Sequence, residues 1–516
     1  MKILLLFYIP LLLCATPFQV ASYNVENLFD ATCQGTEYEE YIPGKHHWTK
    51  RMAEVKLNHT AEVICDLDAD IIGLQEVENA SVFHALQKRL KRVGCAYPYG
   101  AITHKRGAPI QVALLSHFPL KKVRELQVNS SPFVRNILEV EADVDGTPLT
   151  LFVNHWKSMG RRGFESKRIA YAKRLEKRIL TMPSRKEYLV LGDLNTNYNA
   201  YETLARHIDD TQGKTAINDI LKTMKAHRLL SKDQIRHAQR GWHYTPWKEL
   251  PFRERWSHTF YGHRSTLDHI LMPANMFDGK GIDYLNHSFH VFKARYLFTR
   301  KGYLNAWEIK HGKHTGKGYS DHLPVVASFD TKPYHSSRNE HDTLARGREG
   351  DIGMLYKKAH LDHPVILKNV VVLLKRGHSA ILKQSPKGRG IFVFGVSQKL
   401  KEGMKLDIEV EEISTYYGLK EITALRTLKE RGHVSLETFY GSIDQLRQNE
   451  VVRSLVGIYR DRHLSIGGKK IPLYFKKRKF VPANGSKIKI AYAHLGYYKK
   501  LQLVIYSKKD FTVLEN

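Results

Sequence analysis

The sequence changes texture once, and that change limits the fold more than any other feature. Residues 18–330 alternate short β-like runs with stretches of helical spacing. Phe18 to Tyr23, Ile71 to Leu74, Val112 to Leu115, Ile137 to Ala142, Leu149 to Val153 and Tyr188 to Leu191 have the composition of strands. Lys50 to Leu67, Val82 to Val93 and Arg168 to Leu180 carry apolar residues at helical spacing. This alternation predicts an α/β unit whose sheets have helices packed outside. Residues 331–362 are polar and rich in charge, as a linker is. Residues 363–516 show short β patterns and little helix, which predicts small barrels or sandwiches.

The β-rich part reads as a tandem pair of modules, 363–435 and 445–516. His363-Pro-Val-Ile-Leu-Lys-Asn-Val-Val-Val has a counterpart in Asn449-Glu-Val-Val-Arg-Ser-Leu-Val-Gly-Ile. Gly403-Met-Lys-Leu-Asp-Ile parallels Gly485-Ser-Lys-Ile-Lys-Ile, and Tyr416-Tyr417-Gly418-Leu parallels Gly496-Tyr-Tyr-Lys-Lys-Leu, in the same order. Any two β-domains share some of this pattern.

The chain carries a formal net charge of +29, from 81 Lys and Arg against 52 Asp and Glu. A charge of that size draws in polyanions such as nucleic acid, anionic membrane or acidic glycans. Residues 336–516 supply 34 of the cations and 18 of the acids, a net +16. Phe475-Lys-Lys-Arg-Lys-Phe480 and Tyr497-Tyr-Lys-Lys500 interleave cations with aromatics, a composition suited to phosphates and stacked bases. The same residues serve equally well as barrel core and solvated strand edges.

Residues 1–15 read as a signal peptide, with Lys2 before the apolar run Ile3 to Leu13 and Ala15 at its end. Export to the periplasm or the medium is the expectation, with no stable membrane span and no evident protein partner. Removal of that segment leaves Cys33, Cys65 and Cys95, which allow one disulfide at most and lack zinc-site spacing.

Six segments set polar residues at or inside β-like runs. They centre on Asn24, on Glu76, on His155, on Asp193 and Asn195, on Asp268, and on Asp321 with His322. Each alone is an ordinary turn, cap or surface residue. Together they offer oxygen ligands for a hard cation and imidazoles able to move a proton, which attack of water on a phosphodiester requires. No phosphate-binding Gly-rich loop ending in Gly-Lys-Ser/Thr is present, which argues against a P-loop nucleotidase.

The order of these six segments resembles the endonuclease/exonuclease/phosphatase superfamily over residues 18–330. The resemblance implies a DNase I-like two-sheet α/β sandwich with its site at one edge. It implies that Glu76 is the principal Mg²⁺ ligand (Mn²⁺ being the substitute), with Asn24 beside it and Asp321 touching the metal or orienting His322. It makes His322 the general base, Asp193 the group that positions or activates water, and Asn195 a donor to phosphate. It pairs His155 with Asp268 to stabilise developing charge. Lys157, Arg161 and Arg162, with Lys167 beyond them and Lys105-Arg106 on another loop, are candidate grips on a polyanion backbone. Gly390-Ile-Phe-Val-Phe-Gly and Tyr417-Gly-Leu-Lys-Glu-Ile resemble the OB-fold modules of extracellular nucleases.

The function this implies is an exported endonuclease acting on DNA or RNA. The alternatives are a lipid or inositol phosphate phosphodiesterase or phosphatase, and an inactive protein that binds nucleic acid.

Overall fold

The computed structural model describes residues 17–160, 163–226, 228–260, 263–331, 347–395, 400–444 and 447–514. The leader expected over residues 1–15 lies outside them. The chain divides into two compact units, Met1–Leu250 with Glu254–Asp342, and Thr343–Asn516 with Pro251–Arg253. No described helix is long and apolar enough to cross a membrane.

The first unit opens with β1 (Phe18–Leu28), α1 (Lys50–Leu67), β2 (Ile71–Val77) and α2 (Ala80–Arg92). Thr49 caps α1 and Asn79 caps α2, each accepting an otherwise orphaned backbone N–H of the first turn. Next come β3 (Tyr99–Ile102), β4 (Gln111–Ser116), β5 (Leu120–Leu126), β6 (Ile137–Val144), β7 (Thr147–His155), α3 (Glu165–Thr181) and β8 (Tyr188–Asp193). Cys65 at the end of α1 is joined to Cys95 beyond α2, and Cys33 is a free, exposed thiol.

The strands form two mixed sheets. One runs Asp283–Tyr284, Val325–Asp330, β1, β2, β4, β3; the other runs Asp268–Leu271, β8, β7, β6, β5. Side-chain alternation sorts the second sheet's residues into two layers. Leu149, Leu151, Val153, Leu189, Leu191 and Ile270 join the core between the sheets. Phe152, Val190 and Leu271 turn the other way and pack with Tyr171 and Leu175 of α3. Leu57, Ile64, Phe83 and Leu86 of α1 and α2 belong to the core on the first sheet. The unit is therefore the expected α/β sandwich.

The second unit holds two closed five-stranded barrels, consistent with the expected OB-like modules. The first runs Val365–Arg376, Ser379–Lys383, Gly390–Val393, Leu419–His433, Met404–Tyr416 and closes back on its first strand. The second runs Val451–Arg460, His463–Ile466, Lys469–Phe475, Lys500–Ile505, Lys487–Tyr498 and closes likewise. Each closes through a parallel pair between its third and fifth strands. Part of the expected linker belongs to the first barrel: Arg348–Gly350 pairs with Val365–Leu367, and Ile352 and Leu355 are buried in its core. Those two apolar residues at helical spacing are the signal that the polar composition around them hid. Residues 332–346 lie outside the described set.

Candidate active site

Register brings the second sheet's polar residues to one edge. In the parallel pair of β7 and β8, His155 lies opposite Asp193. The antiparallel neighbour Asp268–Leu271 sets Asp268 opposite Asp193 on the other side. All three continue the alternation of the residues that face the inter-sheet core, so they point toward the first sheet from just beyond its apolar rim. Gly192 precedes Asp193 with φ +134°, and a Cβ there would meet the Asn154 carbonyl at 2.0 Å. Only glycine fits that approach of the two strands.

The first sheet needs a distortion to answer. Alternation along β2 would turn Glu76 away from the second sheet. The ladder is interrupted between Gln75 and Val77, and Glu76 has φ 66°. Such a bulge re-aims the side chain inward. Glu76 then accepts Asn24 Nδ2 at 3.1 Å and the Asn27 backbone N–H at 3.0 Å. Glu26 and Asn27 are also left-handed, at φ 52° and 59°. Three such residues together mark a backbone held against its preference, as at functional sites.

The side chains interlock across the two sheets. Asn24 Nδ2 also donates to Asp193 Oδ2 at 3.1 Å. Asn195 donates to both Asp193 oxygens, by its backbone at 2.8 Å and by Nδ2 at 3.1 Å. Ser320 Oγ donates to the Asn24 carbonyl at 2.7 Å and accepts the His322 backbone N–H at 3.0 Å. His155 Nε2 lies 3.6 Å from both Glu76 Oε1 and Asp193 Oδ2.

One expected pairing is corrected. Asp268 holds His322, not His155: His322 Nδ1 donates to Asp268 Oδ2 at 2.8 Å. The cause is the order of strands, since β8 separates Asp268 from His155 and turns Asp268 to the His322 loop. Asp321, expected beside His322 as an orienting group or a ligand, stands 3.9 Å from its Nε2 and 3.6 Å from His258 Nε2.

Charge is crowded here. Burial, then Asp321, pushes the Glu26 carboxyl up to about 8, and burial pushes Asp193 up to about 7 against the pull of His322. Burial and Asp321 likewise raise Glu76. Burial, then Arg135, holds His155 well below the usual range, so it is neutral. Burial opposes the charge on His322, but Asp268 and Asp321 outweigh it and raise that imidazole. Asp321 is only half-buried, and His322 and His258 hold it low. Mutually repelling buried carboxylates are relieved by a hard cation, so the donor set fits a divalent metal. Glu76 and Asp321, with Asn24 alongside, are the residues that would hold it. His258, Asp321 and His322 also form a group able to take a metal ion.

Four participants escape a reading of the sequence alone. Glu26 sits inside the Asn24 segment and accepts the Asp321 and Trp307 backbone N–H groups at 2.8 and 3.0 Å. Lys56 is fully buried, its ammonium lowered to about 8 by burial against the pull of Glu26. Arg135 donates to the carbonyls of His155 and Trp156. His258 lies against His322, with the rings tilted and their centres 4.5 Å apart. None of the last three lies in a polar strand-end motif, so no local signal marks them. His269 is buried and bonds the Thr196 carbonyl, a structural contact.

The expected backbone grips fare differently. Lys157 is half-buried, its ammonium lowered by burial and by Arg135. Lys105 is buried and donates to the Asn129 carbonyl at 2.6 Å, so it braces a loop. Arg161 and Arg162 lie outside the described residues.

Among solved structures, TDP2 from Caenorhabditis elegans is 14% identical, with 61% of this chain and 74% of that one covered at a TM-score of 0.37. TDP2 from D. rerio complexed with a single-strand DNA product is 13% identical, covering 61% and 100% at 0.39. An AP endonuclease from Archaeoglobus fulgidus is 13% identical, covering 60% and 98% at 0.38. No curated protein sequence matches. Residues 19–331 match the Endonuclease/Exonuclease/phosphatase family, and the chain belongs to that family of metal-dependent phosphoesterases.

Proposed function

We propose that the protein is an exported, Mg²⁺-dependent nuclease that hydrolyses phosphodiester bonds of DNA or RNA. The observation that carries the reading is the convergence of Asn24 and Glu76 from one sheet with His155, Asp193 and Asp268 from the other, closed by Asp321 and His322. A cation bound by Glu76 and Asp321 would supply charge neutralisation to the phosphate.

The chain's own groups divide the remaining work. Asn24 and Asn195 fix the Asp193 carboxylate through three hydrogen bonds. Its affinity for a proton, raised to about 7, suits it to orient the attacking water and take its proton. Asp268 anchors Nδ1 of His322 and leaves Nε2 facing the cleft, 3.8 Å from Asp193. A raised imidazole favours its charged form, so His322 serves as a donor to phosphate rather than as the base first expected. Neutral His155 offers a second donor beside Glu76.

The net charge of +29 and the basic second unit favour a polyanionic substrate over a lipid. The leader-like start and the Cys65–Cys95 pair support export to an oxidising compartment. The test is a time course with supercoiled plasmid and single-stranded RNA, in Mg²⁺ and in EDTA. Metal-dependent cleavage of either supports the reading. Turnover of sphingomyelin or a phosphoinositide with both polymers left intact would replace it, and inertness toward bis-p-nitrophenyl phosphate would mark an inactive binding protein.

A further inference from the structure

Two exposed hairpin tips in the second unit meet. The first joins Met404–Tyr416 to Leu419–His433 through Tyr417 and Gly418. The second joins Lys487–Tyr498 to Lys500–Ile505 through Lys499. They are equivalent connections, between the fourth and fifth strands of the two barrels. Their meeting is held by fixed contacts. The Lys499 backbone N–H donates to the Tyr417 carbonyl at 3.3 Å. The Tyr497 ring lies where a Cβ on Gly418 would stand, 2.4 Å from that position. Tyr417 and Tyr498 bring their ring centres within 4.7 Å, and Tyr416 and Tyr417 do the same.

The result is three contiguous rings that water reaches. Tyr416 is 58% exposed, Tyr417 53% and Tyr498 46%. Lys499 and Lys500 beside them are exposed, and neither tip, Tyr416 to Lys420 or Tyr497 to Leu501, contains a carboxylate. Tyr417 is also in the wrong place for a tyrosine. Its φ is 47° and that of Gly418 is 95°. A two-residue turn with both φ positive favours Asn-Gly, and a bulky residue at its first position is costly. The hairpin keeps an aromatic ring where asparagine would be the more stable choice. Such an outlier calls for a role outside folding.

We propose that the two tips form one binding surface for single-stranded nucleic acid, with bases stacked on Tyr416, Tyr417 and Tyr498 and phosphates met by Lys499 and Lys500. Rings accept any base, and the cations match the backbone, so the surface is indifferent to sequence. It deepens the nuclease reading on which it rests, by giving the chain a hold on unpaired strand that its catalytic residues do not provide.

The test is fluorescence anisotropy of the full chain with labelled single-stranded oligonucleotides in EDTA, where binding is read without cleavage. Tyr416→Ala, Tyr417→Asn and Tyr498→Ala are each expected to weaken binding roughly tenfold, the worth of one base stacked on an aromatic. Lys500→Gln is expected to lower the slope of log affinity against log salt by about 0.7. Tyr417→Asn is the decisive variant, because it suits the turn: its melting temperature is expected to hold or rise while affinity falls. Affinity within twofold of the parent for Tyr417→Asn and Tyr498→Ala overturns the proposal. So does a loss confined to heparin or to phosphatidylserine vesicles, which would assign the surface to glycan or membrane. If the parent binds the oligonucleotide but cleaves nothing in Mg²⁺, the nuclease reading fails and this surface stands. If it cleaves and the variants bind as the parent does, the reverse holds.

Discussion

Both units bury charge, and they treat it in opposite ways. In the barrels, Lys383 and Glu450 are each 1% exposed and pair at 2.7 Å; Lys383 also donates to the Phe439 carbonyl and Arg447 bonds the other Glu450 oxygen. The buried acids Asp510 and Asp407 are met by Arg376 and Arg431, whose guanidinium groups reach the solvent. At the sheet edge of the catalytic unit, burial and then neighbouring acids raise Glu26, Glu76 and Asp193, with Asp321 among those neighbours. The catalytic unit also knows how to satisfy an ion, since Glu165 and Arg168 are fully buried and paired at 2.7 Å. Saturated buried charge holds a fold together. Buried charge left in mutual repulsion is a site prepared for a cation.

The comparison is broken most directly at the site. His322→Ala is expected to lower the rate of diester hydrolysis by about 10²–10³-fold, the range for loss of one donor to the charge developing on the phosphate. Asp268→Asn should cost less. Because Asp268 acts through His322, the double variant should be no slower than His322→Ala alone. Rates that multiply would instead place Asp268 on His155, as the family resemblance implies.

In the barrels the same kind of change should strike stability rather than rate. Lys383→Met leaves Glu450 buried without its main partner, at a cost of about 3–5 kcal/mol. Chemical denaturation should show it, while turnover of a small diester by the folded protein stays at the parent level. Replacing Lys383 and Glu450 together by apolar residues should recover most of the loss. Failure to recover would mean the pair is more than structural.

A smaller effect sharpens the contrast through pH. Glu26 and Asp193 have folded-state values raised to about 8 and about 7. Their contribution to stability is present below the unfolded-state value and is lost as pH rises through 7 to 8. A cation favours the ionised carboxylates, so Mg²⁺ should raise the melting temperature more at pH 9 than at pH 6, by about 2–4 °C for each kcal/mol regained. An equal Mg²⁺ effect at both values would show that these carboxyls do not carry the metal linkage. The smallest change is a cap: Thr49→Ala should cost about 1 kcal/mol and leave turnover untouched.

Much of this was legible along the chain. The helices of residues 18–330 follow from periodicity, because each buries one face, and the central strands follow from short continuous apolar runs, because they are buried on both. The six polar segments follow because they interrupt that spacing at strand ends. The barrel pair follows from parallel runs such as Tyr416-Tyr417-Gly418 and Gly496-Tyr497-Tyr498. The short helix Ile352–Tyr356 inside the expected linker is not legible, because its buried residues Ile352 and Leu355 are too few to outweigh the polar residues around them.

The sequence by itself determined the six polar segments that meet at the candidate site, since residue type and position at a strand end are local properties. Only the tertiary structure decided who faces whom. The partner of Asp268 depends on a strand order that no short motif encodes. The inward turn of Glu76 depends on a bulge against β4, and His258 reaches His322 through a bridge between residues 64 positions apart. Contacts across strands join residues distant in the chain, and their geometry is set only when the sheets are paired and packed.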